Sequence, residues 1–196
     1  MPKVVDHEER RSRLGAAACA VLSRTGVAGT TVRAVAGEAG MPLATAQHYL
    51  PTRELMVRAA MAYLVDRVVR RARALPTGPS ALETLRLAVV QLVPLDEERI
   101  FESRVWLMLT AEALIDEQIA AIMRENAVEL RANLARLIDL ARADGSIAAD
   151  VDVPQAAGEL ATVLDGVTLR LLYAALSPAE ARAEIDTHLT RLAARP

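Results

Sequence analysis

The sequence predicts an all-α protein, and three observations carry that prediction. Ala, Leu, Arg and Glu dominate while β-branched runs are scarce, a balance that favours helix over strand. Apolar residues recur at three- and four-residue spacing in segment after segment. The segments are separated by breakers, among them PTGPS at 76–80, Pro94, ADGS at 143–146 and Pro154. No alternating strand pattern and no repeat of fixed period interrupts this reading.

The first helix is expected over 8–25, where Leu14, Ala17, Ala18, Val21, Leu22 and Thr25 share a face and Gly26 supplies the stop. Residues ahead of it are read as loose. Thr30 or Thr31 can cap the second helix, whose Val32, Val35, Ala36 and Ala39 repeat at helical spacing until Gly40 permits a left-handed turn. The third helix covers only 43–49. At that length it cannot persist alone and has to be held by packing, which frees Thr45, Gln47, His48 and Tyr49 to face outward.

Pro51 ends that segment, and Thr52 with Glu54 and Leu55 opens a fourth helix over 53–75. Its inward stripe is Leu55, Ala59, Ala62, Val65, Val69 and Ala72. Five further helices are expected over 80–93, 97–115, 117–143, 154–176 and 178–194. Ser177 can cap the last of them, with Pro178 in its first turn.

A chain of 196 residues, 53% of them hydrophobic, is long enough to bury a real core. The lone Cys19 rules out an intrachain disulfide, and its apolar surroundings read as packing rather than metal chemistry. No metal site, cofactor or catalytic residue is expected: none of His7, His48 and His188 has a Glu three residues before it, and HExxH, GxSxG and glycine-rich phosphate loops are missing. No run is apolar and long enough for a membrane span and no signal-peptide pattern opens the chain, so a cytoplasmic protein without a membrane partner is expected. Net charge is only −2, yet it is unevenly placed. Residues 1–75 carry 12 Lys and Arg against 6 Asp and Glu, and residues 76–196 carry 11 against 19. A polyanion is drawn to the front of such a chain and repelled by its rear.

The front third is therefore where nucleic acid contact is sought. The wide groove of B-DNA, about 12 Å across, admits one helix, so the face bearing Thr45, Gln47, His48 and Tyr49 could meet base edges. Gln47 is the best reader, because its amide pairs bidentately with adenine. Thr45 suits a thymine methyl or a phosphate, and His48 and Tyr49 suit phosphate oxygens, with packing as their competing role. Thr31 and Arg33 are placed for backbone phosphates, with Arg10, Arg11, Arg13 and Arg53 as further candidates, although surface arginines usually do nothing specific.

The run TTVRAVAGEAGMPLATAQHYLPTREL at 30–55 resembles the DNA-binding domain of tetracycline-repressor-like (TetR family) regulators. The resemblance rests on TTVR at 30–33, then Val35, Ala36, Ala39, Gly40, Thr45, His48, Tyr49, Glu54 and Leu55 in identical register. Pro42, Leu43 and Gln47 depart from the usual pattern. The resemblance implies a helix-turn-helix DNA-binding domain over 1–52, a connector helix over 53–75, and a ligand-binding and dimerisation domain over 76–196.

The ending DGVTLRLLYAALSPAEARAEIDTHL at 165–189 is similar to that of choline-responsive members of the family, whose last two helices form a four-helix dimer interface. Leu164, Leu171, Leu172, Ile185 and Leu189 are the candidates for that interface. Effector-pocket candidates are Phe101, Trp106, Met108, Met123, Asn126, Asp165 and Tyr173, with Glu102 and Glu112 as further polar candidates. Core packing is the cheaper account of the apolar ones and an intersubunit hydrogen bond an equal account of Asn126 and Asp165. The implied function is a ligand-responsive regulator, expected to repress, that binds a palindromic double-stranded DNA operator as a homodimer and is released by a small-molecule effector. A helical scaffold or an enzyme without DNA binding is the alternative.

Overall fold

The computed structural model describes residues 3–193, with side chains from His7 onward. The described chain is helical throughout, in nine α-helices with no strand beyond one isolated bridge. In order they are α1 (Lys3–Gly29), α2 (Val32–Ala39), α3 (Leu43–Tyr49), α4 (Arg53–Arg73), α5 (Ala81–Val89), α6 (Glu97–Glu112), α7 (Glu117–Ala143), α8 (Val153–Leu172) and α9 (Pro178–Leu192). A 3-10 turn at Val90–Leu92 follows α5. Among the described residues no helix is long and apolar enough to cross a membrane.

Boundaries differ from the sequence reading where local geometry outweighs periodicity. Helical structure begins at Lys3 rather than Glu8. Gly26 does break the first helix, since its φ of 69° kinks the chain before a last turn to Gly29. α8 stops at Leu172, four residues early, because Ala174 takes a left-handed φ of 59° and the amide of Ala175 returns to the Arg170 carbonyl. The expected last residue of the ninth helix, Ala194, lies outside the described residues.

The chain forms two compact units: Met1–Val69 with Arg104–Met123, and Arg70–Ser103 with Arg124–Pro196. Helices α4, α6 and α7 each lend residues to both. The first unit therefore takes in the α6–α7 corner, which no boundary in the sequence marks.

In the first unit α1 packs on α2 and α2 on α3. Leu14, Ala18, Leu22, Val35, Ala46, Val57 and Ala60 are almost wholly buried there. Gly15 is obligatory, because a methyl group at that point would sit 2.7 Å from the Ala59 carbonyl oxygen of α4 and 3.0 Å from the Tyr63 Cβ. One turn on, the Cys19 thiol donates to the Ala60 carbonyl at 3.3 Å, so the thiol is a packing group as its apolar setting suggested.

The second unit is built on Leu82, Leu85 and Val89 of α5, Leu134 and Ile138 of α7, Leu160, Leu164 and Val167 of α8, and Ile185 and Leu189 of α9. Each fully buried aliphatic side chain of this set contributes about 1.5–3 kcal/mol of burial. Polar side chains close the helix ends. Ser80 accepts from the Glu83 amide, Asp152 from Gln155 and Ser177 from Glu180, the last within a complete capping box. The Arg86 guanidinium reaches Asp186 of α9 at 2.7 Å. Behind α7 the chain returns to itself: Ile147 pairs with Ala193, and the Ala148 amide donates to the Leu192 carbonyl at 3.0 Å.

Candidate nucleic-acid interface

The helix-turn-helix is assembled by its caps. Thr31, with extended backbone, accepts from the Ala34 amide, so Thr31 rather than Thr30 starts α2. Thr30 is buried and donates to the Gly26 carbonyl at 2.8 Å. Gly40 ends α2 at φ 59°, and its amide and that of Met41 close on the last carbonyls of the helix. A Cβ there would also lie 3.2 Å from the Arg13 guanidinium, so Arg13 of α1 lies over the turn that leads into α3.

α3 starts at Pro42 without a side-chain cap. What fixes it is Ala46, wholly buried against the rest of the unit, and Leu50 just beyond its end. With Ala46 inward, Gln47 and His48 are exposed, and Thr45 and Tyr49 are half-buried at the flanks. Two polar side chains thus face outward on a helix held from beneath by Ala46. Arg33 of α2 and Arg13 of α1 are exposed in the same unit.

Two expected phosphate contacts have other partners. The Tyr49 hydroxyl hydrogen-bonds His7 Nδ1 of α1, and the Tyr49 ring meets His48 edge-on at 5.3 Å between centroids. Tyr49 is thus a link between α1 and α3 as well as a surface group. Arg53, at the start of α4, is ion-paired with Asp116 at the α6–α7 corner. Neither His7 nor Asp116 carries a signal in the sequence, since each partner is 42 or 63 residues away.

The effector candidates divide between the units. Trp106, Met108 and Met123 belong to the first, and Phe101, Asn126, Asp165 and Tyr173 to the second. Trp106, Met108, Phe101 and Asn126 are half-buried and Met123 is buried, whereas Asp165 and Tyr173 are exposed. Glu102 is buried and held by Arg71 at 2.5 Å, and the guanidinium is raised above its ordinary range by that hydrogen bond, against the opposing effect of its own burial. Crowding by protein raises the Asp165 carboxyl above its usual value, although one edge of it faces solvent.

Of the interface candidates, Leu164, Ile185 and Leu189 are spent in the core of the single chain and keep no surface for a partner. Leu171 packs on that core and Leu172 is half-buried. The large apolar side chains left exposed here are Leu169 of α8 and Tyr173 just beyond its end. Alongside, an open groove of about 440 Å³ between α8 and α9 is lined by Val163, Leu176, Ala183, Thr187 and His188 together with the charged Glu180, Glu184 and Arg191. Burial lowers the His188 pKa, and its Nε2 has no hydrogen-bond partner. Helical periodicity identified the apolar stripe on α8 but not how much of it the monomer itself consumes.

Comparison with known proteins agrees with this architecture. Residues 81–194 match the family described as BetI-type transcriptional repressor, C-terminal. The chain is 32% identical over 114 residues to the HTH-type transcriptional regulator PksA of Bacillus subtilis (strain 168), an alignment covering 58% of the chain and 56% of that relative. It is 28% identical over 174 residues to the HTH-type transcriptional regulator BetI of Paraburkholderia xenovorans (strain LB400), covering 87% and 85%. The crystal structure of a transcriptional regulator from Rhodococcus sp. Rha1 superposes with a TM-score of 0.74 at 27% identity, covering 93% of the chain and 95% of that protein. A helix-turn-helix unit followed by a helical bundle defines a class of transcriptional regulators, not of enzymes. This chain belongs to the TetR family of transcriptional regulators, with a C-terminal region of the BetI type.

Proposed function

We propose that the chain is a ligand-responsive repressor that works in the cytoplasm, binding a palindromic DNA operator as a homodimer and leaving it when a small-molecule effector binds. The observation that carries this reading is the outward Gln47–His48 face of α3, anchored from beneath by Ala46. One seven-residue helix makes too few base contacts for selectivity. Two related by a diad and spaced about 34–36 Å apart reach successive turns of one groove.

Gln47 then reads adenine and Thr45 a thymine methyl or phosphate, while Thr31, Arg33 and Arg13 grip the backbone. The second copy docks on the outer side of α8, around the exposed Leu169 and Tyr173 and the half-buried Leu172. The effector lodges among the helices that follow Ser80 and acts by population shift, favouring dimers whose reading helices are wrongly spaced. Reciprocity requires the operator to weaken effector binding by the same factor.

The deciding experiment recovers a binding site from random duplexes and measures its affinity for the wild-type chain and for Thr45→Ala and Gln47→Ala. A palindromic site, with each variant losing about 1–3 kcal/mol of discrimination at one base position and keeping its melting temperature, supports the reading. Equal binding of random and selected duplexes ends it.

A further inference from the structure

The ion pair between Arg53 and Asp116 differs from the Arg24–Glu38 and Arg58–Glu54 pairs of the first unit in how unequally its two ends are held. Asp116 is fixed. One oxygen, Oδ1, caps α7 by accepting from the Gln118 amide at 2.9 Å and the Ile119 amide at 3.2 Å, and only 16% of the side chain is exposed. Its other oxygen, Oδ2, takes the Arg53 guanidinium. Arg53 is 43% exposed and sits on a long stem at the first residue of α4, four residues beyond Tyr49 of the reading helix. A guanidinium fork fits a phosphate as well as a carboxylate, so a nucleic acid backbone and Asp116 compete for the same donors.

We infer that Asp116 is an affinity-setting residue: it withholds Arg53 from the DNA backbone, and the protein binds duplex more weakly than its basic surface permits. This rests on the DNA-reading function proposed above. The Asp116 carboxylate thus has two tasks, the α7 cap and the hold on Arg53.

Asp116→Asn and Asp116→Ser separate those tasks, since both residues cap helices but neither carries the charge. Each is measured against the wild-type chain on a mixed-sequence duplex and on the duplex recovered by selection, across a series of KCl concentrations. Both variants are expected to bind either duplex about two- to fivefold more tightly at low salt, the range of one exposed ion pair. The slope of log affinity against log salt steepens by about 0.9, one more neutralised phosphate. In an Arg53→Gln background the same substitutions should give no gain.

Unchanged affinity and slope in folded Asp116 variants overturn the inference while leaving the DNA-reading function standing. A gain that persists without Arg53 also overturns it, showing general repulsion by the carboxylate instead. Failure of the wild-type chain to bind either duplex at any salt removes both readings together.

Discussion

At the scale of single residues, the front of the molecule depends on backbone conformations that few side chains tolerate. Gly40 stands at φ 59° with the Arg13 guanidinium close to where a side chain would begin. Gly40→Ala is expected to cost about 1–2 kcal/mol by denaturant unfolding, from the left-handed conformation alone. Asp165 gives a pH-dependent counterpart in the second unit. Its folded pKa is raised by crowding, so the native state disfavours the charged form, and the penalty is fully present above the folded pKa. Below the ordinary carboxylate value, about 3.9, both states hold the proton and the penalty is gone. Asp165→Asn is accordingly expected to raise the melting temperature at neutral pH, and the gain to shrink to nothing as the pH falls through that window. A gain that stays constant down to acid pH would point to packing instead. The shortness of the third helix predicts Thr45, Gln47, His48 and Tyr49 all outward; Gln47 and His48 are exposed, while Thr45 and Tyr49 are half-buried. Residue identity could not predict that Tyr49 and Arg53 are claimed by His7 and Asp116, since a hydrogen bond across 42 or 63 residues leaves no local trace.

At the scale of elements, caps and breakers were more legible than ends. Ser177 and Pro178 announce α9, and the structure closes them into a full capping box with Glu180. Ser177→Ala should lower stability by about 1 kcal/mol, and Ser177→Asp should restore most of it in the same unfolding assay. The end of α8 was misread because Ala174 and Ala175 are good helix formers, and only the left-handed turn at Ala174 cuts the helix short. α1 was read short at its front for the opposite reason: the polar, charged stretch ahead of Leu14 gives little periodicity, yet it is helical from Lys3. In α8 the apolar period is as expected, and Leu160, Leu164 and Val167 of that stripe fill the core of the single chain, while Leu169 is exposed.

At the scale of the whole molecule, the charge distribution and the proposed homodimer carry the predictions. The basic excess in residues 1–75 and the acidic excess behind it orient a polyanion toward the front, so operator affinity should fall steeply with salt. Leu169→Asp places a charge among the exposed apolar residues of α8 while touching nothing in the core. It is expected to shift the chain toward monomer in sedimentation and to lower operator affinity at least tenfold, as one reading helix is left without its mate. A dimer unchanged by Leu169→Asp would move the interface elsewhere on the bundle. The division into two units could not be read from the chain, because α4, α6 and α7 run through the boundary without a Gly or Pro to mark it.

The short clasp between Ile147 and Ala193 has a practical corollary for anyone shortening this protein. A stop codon placed ahead of Leu192 deletes the carbonyl that receives the Ala148 amide and uncovers Ile147, which is 1% exposed in the intact chain. Trimmed versions would then carry a sticky spot at the α7–α8 connection, prone to aggregate on storage.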